Sequence, residues 1–273
     1  MQVAAREATH AKLTVAGLAL DYVNPETGVA HRAVEDLDLR VAANEFLCVL
    51  GPSGCGKSTL LAAIAGFIAP TRGSIVMDGR PVTAPGAERG VVFQEYALLP
   101  WMNVLDNAAL GLKLRGVSRE QRYETARRFL ALANLRDVEH KFPHELSGGM
   151  KQRVAVARTL ANAPQVMLMD EPFAAVDAQT RMTLQEELGR IAAASRLTVV
   201  FITHSVEEAI FLGDRVAVMT PGPGRIRTIV DVPFAREGRT WVALNADPAF
   251  AALREQLLDL VRTGPSAREP AAV

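Results

Sequence analysis

Short apolar runs without polar alternation punctuate the chain: "FLCVL" (46–50), "GVVF" (90–93), "VMLM" (166–169) and "LTVVFIT" (197–203). Strands that carry apolar residues on both faces belong inside a mostly parallel sheet covered by helices. Helix-period patterns at 58–68, 151–162 and 178–194 fall between these runs, so the order of elements predicts a wound α/β core. Residues 13–41 and 73–83 read as additional strands joined by turns. From 102 to 143 the pattern changes: Phe129, Leu130, Leu132 and Leu135 recur at helical spacing among charged residues, and no strand is visible. That stretch reads as a helical insertion. After 213, "DRVAVMT" and "RIRTIVDV" flank "PGPG", two strands around a turn. Residues 247–262 form an amphipathic pattern with Asp247 as the expected cap and Pro248 at the first helical position.

Composition narrows the partners. Thirty Lys plus Arg balance thirty Asp plus Glu, a net charge of zero, so the chain has no electrostatic footprint for a nucleic-acid backbone or an anionic membrane. The polar N-terminus lacks the apolar stretch of a secretion signal, and no uncharged run approaches the ~18 residues of a membrane span. Folding in the cytosol is expected. Of the two cysteines, Cys48 lies in an apolar run and Cys55 in a glycine loop, which argues against a disulfide framework.

That loop, "GPSGCGKST" (51–59), fits G-x-x-x-x-G-K-[ST] and stands between a strand and a helix, the setting the motif requires. Its glycines let several N–H groups converge on an anion, and the helix start adds partial positive charge. Gly51, Pro52, Ser53, Gly54, Cys55, Gly56, Lys57, Ser58 and Thr59 are the candidate nucleotide contacts. Lys57 is expected on the β- and γ-phosphates and the Ser58 hydroxyl on Mg²⁺. Bound nucleotide is also expected to shield Cys55 from alkylation. Such a loop serves kinases, GTPases and ATPases alike.

Further candidates lie at strand ends, where doubly wound folds bind ligands. Asp170 and Glu171 close "VMLM": Asp170 suits Mg²⁺, and Glu171 suits orienting or deprotonating the attacking water. His204 closes "LTVVFIT", positioned for the γ-phosphate or that water. Gln94 follows "GVVF", where its amide can ligate Mg²⁺ and position water. His10, His31, His140 and His144 have no such setting. In "LSGGMKQR" (146–153), Ser147 is a good N-cap for a helix with Val154, Ala157 and Leu160 on one face, and Gly148 and Gly149 leave its first N–H groups open to an anion.

Together, "GPSGCGKST", Gln94, "LSGGMKQR", "VMLMDEP", "AAVD" and His204 resemble the nucleotide-binding subunit of an ATP-binding cassette (ABC) transporter, over about 13–262. The resemblance implies an α/β fold: a P-loop NTPase core with a mostly parallel sheet, an antiparallel β subdomain on the N-terminal side and a helical subdomain at about 102–160. Residues 1–12 would be a flexible extension and 263–273 a disordered tail. It implies ATP and Mg²⁺ as ligands and a head-to-tail homodimer, in which the signature of one protomer closes over ATP on the other. Such pairing answers why one chain carries two anion sites. By the same resemblance Tyr22 stacks on adenine, Ser147, Gly148 and Gly149 meet the partner's ATP, and Asp177 crosses the dimer interface. Met150 stands where many members have Gln, and Val176 where Leu is usual.

Residues 84–107, "SGGMKQRVAVAR" and "MTPGPGRI" look most like importers of the nitrate, sulfonate and taurine group. That implies an ATP-hydrolysing subunit of a bacterial importer for a small oxyanion-type solute, with taurine or another sulfonate first, then nitrate or an aromatic acid. Its place is the cytoplasmic face of the inner membrane. Leu98, Leu99, Pro100 and Trp101, within 95–105, would meet the membrane permease, and a separate extracytoplasmic binding protein would deliver solute. The rivals are a non-transport ABC ATPase acting on DNA or ribosomes, which usually carries a second cassette, a coiled-coil insert or basic patches, and a P-loop kinase, which leaves "LSGGM" without a role.

Overall fold

The computed structural model describes residues 11–23, 28–174 and 176–262; the expectations for 1–10 and for the 263–273 tail lie outside the described residues. Strands β1 (Ala11–Val23), β2 (Ala30–Ala42), β4 (Arg72–Met77) and β5 (Arg80–Pro81) form an antiparallel sheet in the order β2-β1-β4-β5. Its first strand takes in Ala11 and Lys12, so the N-terminal boundary lies two residues earlier than the expected 13. Lys12 is tied down there, with its Nζ 2.6 Å from Asp78 Oδ2 and 2.7 Å from Gln165 Oε1.

The second sheet comprises β3 (Phe46–Leu50), β6 (Arg89–Val92), β7 (Val166–Asp170), β8 (Thr198–Thr203), β9 (Arg215–Met219) and β10 (Ile226–Asp231), in the order β10-β9-β3-β8-β7-β6. All its pairings are parallel except β10 on β9, the hairpin expected around "PGPG". The unalternating runs are explained by burial on both faces. Along β3, Phe46, Cys48 and Leu50 enter one core cluster while Leu47 and Val49 enter the other, and along β8 Val199 and Phe201 alternate with Val200 and Ile202 in the same way. One cluster is closed by the antiparallel sheet and helix α1 (Lys57–Ala65); the other by α5 (Ala178–Ala194), α6 (Val206–Leu212) and α8 (Pro248–Arg262).

The expected helical insertion is present. Helices α2 (Val104–Leu114) and α3 (Arg119–Leu132) pack with α4 (Gly148–Ala161) around Ala108, Leu130, Val154 and Ala157. Two helix ends differ from the sequence pattern. α1 stops before Gly66, which takes φ 86°, because a side chain there would meet the Ala84 carbonyl at 2.4 Å; the expected 58–68 helix is therefore shorter. α8 begins as expected, with Asp247 Oδ1 accepting the Ala249 N–H at 2.9 Å. Helices α6 and α7 (Trp241–Ala246) span too few residues to show a period. They are held by tertiary contacts: Trp241 stacks on Phe211 with ring centres 4.3 Å apart, and Arg239 donates to the carbonyls of Ile210, Phe211 and Gly213.

Candidate functional site

The parallel register assembles the site. Val92 pairs with Met169, Asp170 with Ile202, and Leu50 with Thr203. Gln94, Asp170, Glu171, His204 and the loop opening at Gly51 therefore leave neighbouring strands at one edge of the sheet, although they are up to 153 residues apart in sequence, from Gly51 to His204.

The loop turns on Gly54 (φ 76°) and Gly56 (φ 92°), conformations open to glycine at no steric cost. Gly56 then caps α1, whose first N–H groups face the loop. Lys57 is buried, and its Nζ donates to the carbonyls of Gly51 (2.8 Å) and Pro52 (2.9 Å), which folds the ammonium into the loop. Ser53, Gly54 and Ser58 are exposed, while Pro52 and Thr59 are half-buried. Cys55 departs from the expectation. Its side chain is fully buried with Sγ 4.0 Å from Lys57 Nζ, and burial raises the thiol pKa despite the nearby ammonium. An inward, protonated thiol resists alkylation with or without nucleotide, so Cys55 can meet phosphate only through its backbone.

Ser58 hydrogen-bonds the Asp170 carboxylate at the end of β7. Burial, with Glu171 adding repulsion, raises the Asp170 pKa, opposed by the Ser58 bond and by Lys57. A hydroxyl and a carboxylate beside the Gln94 strand end give few, hard oxygen donors, which suits Mg²⁺ completing its shell with phosphate and water. Gln94 is exposed, two residues past β6.

Glu171 occupies the left-handed region at φ 42°, a conformation costing a non-glycine residue about 1–2 kcal/mol. Its N–H bonds the Ile202 carbonyl at 3.1 Å, and its Oε2 lies 2.8 Å from His204 Nδ1. The carboxylate and imidazole thus form a pair facing out from the sheet edge, with the His204 side chain 60 % exposed. Behind it is a network absent from the sequence reading. The buried Glu208 carboxylate accepts from the Thr203 hydroxyl and, at 2.8 Å, from Gln185 Nε2 of α5. The Thr203 oxygen in turn accepts the Ser205 N–H at 3.0 Å, so strand end, His204 and α6 are fixed as one unit. Burial raises the Glu208 pKa. Glu208 is one of two adjacent acids in the first turn of a short helix, and nothing in the sequence separates it from Glu207; only its burial does.

Ser147 caps α4, with its Oγ accepting the Met150 N–H at 3.3 Å, and the side chain is exposed. Gly149 is buried because a Cβ there would lie 2.7 Å from the Thr180 methyl, so the glycine allows α4 to meet the first turn of α5. Asp177 caps that turn, its Oδ1 accepting the Thr180 N–H at 3.0 Å, a bond that lowers its pKa. Gly148 is half-buried. Met150 packs on the helical cluster, which gives it a structural role. Tyr22, opposite His31 at the end of β1, is 46 % exposed rather than packed.

In the 95–105 segment, Leu98 is half-buried against the core and Leu99 is held through Asn107, which accepts its N–H at 2.8 Å and donates to its carbonyl at 3.1 Å. The exposed apolar surface is narrower than the sequence suggested: Pro100, and Trp101 at 70 % exposure. Phe67 and Phe93 add a second exposed pair, stacked at 6.1 Å.

Comparison with known proteins matches a family model described as ABC transporter to residues 34–174. A taurine import ATP-binding protein of Chromobacterium violaceum is 50% identical over 234 residues, 85% of this chain and 90% of that one. A nitrate import ATP-binding protein of Synechococcus elongatus is 47% identical over 232 residues, 84% of each chain. Among solved structures, a dimeric ATP-binding cassette in a post-hydrolysis state with ADP and phosphate aligns with TM-score 0.72 at 29% identity, covering 82% of this chain and 100% of that one.

Proposed function

The chain belongs to the ABC transporter ATP-binding family and is an ATPase coupled to transmembrane transport, and on that footing we propose that it energises import of a small oxyanion-type solute. Taurine or another sulfonate is the first candidate, after the names of its relatives, then nitrate, then an aromatic acid. The observation that carries the catalytic reading is the Glu171–His204 pair at 2.8 Å, beside the phosphate loop.

In this mechanism the backbone N–H groups of 53–58 and the Lys57 ammonium hold the β- and γ-phosphates of ATP, and Tyr22 stacks on the adenine. Ser58, Asp170 and Gln94 would hold Mg²⁺, which when bound neutralises charge developing on the phosphates. Glu171 orients the attacking water and draws its proton toward the carboxylate, and His204 fixes that carboxylate through Oε2 and faces the γ-phosphate. The partner protomer completes the site: Ser147 and the N–H groups of Gly148 and Gly149 cover ATP from the opposite side, and Asp177 crosses the interface. Closure of the dimer changes access in paired permease subunits, and hydrolysis reopens it. The permease meets residues 95–105, where Trp101 is the exposed anchor. In this reading the chain works at the cytoplasmic face of the membrane, with an extracytoplasmic binding protein acting indirectly. On the same reading a single cassette unit spanning 11–262, with its helical part at about 102–160, does all of this.

The test is purification from detergent-solubilised membranes. Co-purification with a multi-spanning membrane protein, together with ATP-dependent uptake of taurine in reconstituted vesicles, supports the reading. An ATPase that never associates with a membrane subunit contradicts it, and uptake of nitrate alone reassigns the solute.

A further inference from the structure

The turn at 221–224, "PGPG", has no part in the chemistry above, yet it touches the phosphate loop. A Cβ on Gly224 would lie 1.9 Å from the Cys55 carbonyl oxygen and 2.7 Å from the Met219 methyl. Gly224 has an ordinary negative φ, so the glycine is required by this approach and not by backbone conformation. The turn cannot back away freely. Gly224 donates its N–H to the Ala33 carbonyl (2.9 Å) and accepts the Glu35 N–H (3.0 Å), and Arg225 Nη2 pairs with Glu35 at 2.5 Å. The same stretch of β2 closes on the loop's far end, where a Cβ on Gly56 would lie 2.7 Å from the Ala33 carbonyl. At the near end, a Cβ on Gly51 would lie 3.1 Å from Met219 Cβ.

We propose that the 221–224 turn clamps the phosphate loop, and that Gly224 is a positioning residue for ATP binding: its missing side chain seats the Cys55–Gly56 peptide, which β2 and Met219 hold from the other sides. The proposal rests on the phosphate-site reading given above. In Gly224→Ala the added Cβ would fall 1.9 Å from the Cys55 oxygen, and reaching an ordinary 3.4 Å contact requires a shift of about 1.5 Å. Because the turn is pinned to β2, that shift falls on the loop, and it turns the N–H groups that converge on phosphate. Misplacement on this scale costs roughly a hundredfold where geometry is demanding.

The experiment is titration of the purified full-length chain with a fluorescent ATP analogue, paired with amide hydrogen exchange of residues 53–57. Gly224→Ala is expected to bind at least tenfold more weakly and to exchange faster in the loop, with β7 and β8 unchanged. Wild-type binding matched by Gly224→Ala overturns the clamp alone, whereas a wild-type chain that does not bind overturns the phosphate-site reading and the clamp with it. If Gly224→Ala does not fold, Arg225→Ala decides, since it loosens the turn without adding bulk: faster exchange at 53–57 supports the clamp, and unchanged exchange contradicts it.

Discussion

Replacing Ser147 with Ala separates the helix cap its hydroxyl makes from the partner contact proposed for it. In the protomer, Ser147 Oγ accepts the Met150 N–H at 3.3 Å, a long bond at an exposed helix start. Loss of an N-cap costs about 1 kcal/mol in general, and this geometry belongs at the lower end, roughly 0.5–1 kcal/mol. In a chain of this size that lowers Tm by only about 2 °C. In the proposed dimer the O–H proton, free because Met150 engages a lone pair, points at the partner's γ-phosphate. A hydrogen bond to a charged group is worth about 1.5–3 kcal/mol, so turnover should fall by roughly 10- to 150-fold. Affinity of the protomer for ATP should stay within about twofold, since its own phosphate loop is untouched. Ser118→Ala is the control: it removes a similar cap on α3, with Oγ 3.4 Å from the Gln121 N–H, and should lower Tm alike without lowering turnover. Calorimetric ATP binding and steady-state phosphate release measure the two effects. Turnover within twofold of wild type, or ATP affinity lost together with turnover, refutes the composite-site reasoning.

Lys57→Ala should lose ATP affinity by at least tenfold in equilibrium dialysis, and unchanged affinity would remove the loop from its role. Asp170 has a folded pKa raised above its ordinary 3.8, so the folded state holds its proton more tightly, and the stability this contributes is present below 3.8, lost as pH rises from 3.8 to the raised value, and unchanged above it. Asp170→Asn should therefore gain in denaturant midpoint relative to wild type as pH goes from 3 to 7, while losing hydrolysis; a gain that shrinks with pH contradicts this. Glu208→Gln should lower kcat with little change in KM for ATP, because it loosens the seat of His204 and leaves the phosphate loop alone. A raised KM with normal kcat would place Glu208 elsewhere.

Much of this arrangement is legible in the sequence because its signals are local. Strand ends, glycine spacing and caps locate Lys57, Asp170, Ser147 and Asp247 without reference to any tertiary contact. The inward turn of Cys55 was not legible, since neighbouring glycines say where the chain turns and not which side chain the core accepts. Glu208 was hidden for a similar reason: its partners Thr203 and Gln185 come from a strand and from another helix. The 95–105 segment shows the same limit from the other side. Its apolar composition suggested one continuous surface, but Asn107 and the core withdraw Leu98 and Leu99 and leave Trp101 exposed. Helices α6 and α7 escaped because seven and six residues hold too few turns for a period to show.

In the proposed assembly two copies of this chain share each ATP, and the mass of Glu171→Gln in solution with and without MgATP tests that sharing directly. Removing the carboxylate that pairs with His204 at 2.8 Å should block hydrolysis and leave binding intact. Light scattering should then show the 29.4 kDa protomer alone without nucleotide and a stable dimer of twice that mass with MgATP. A Glu171→Gln protein that binds MgATP yet stays at the protomer mass, or one that still hydrolyses ATP at the wild-type rate, contradicts the account.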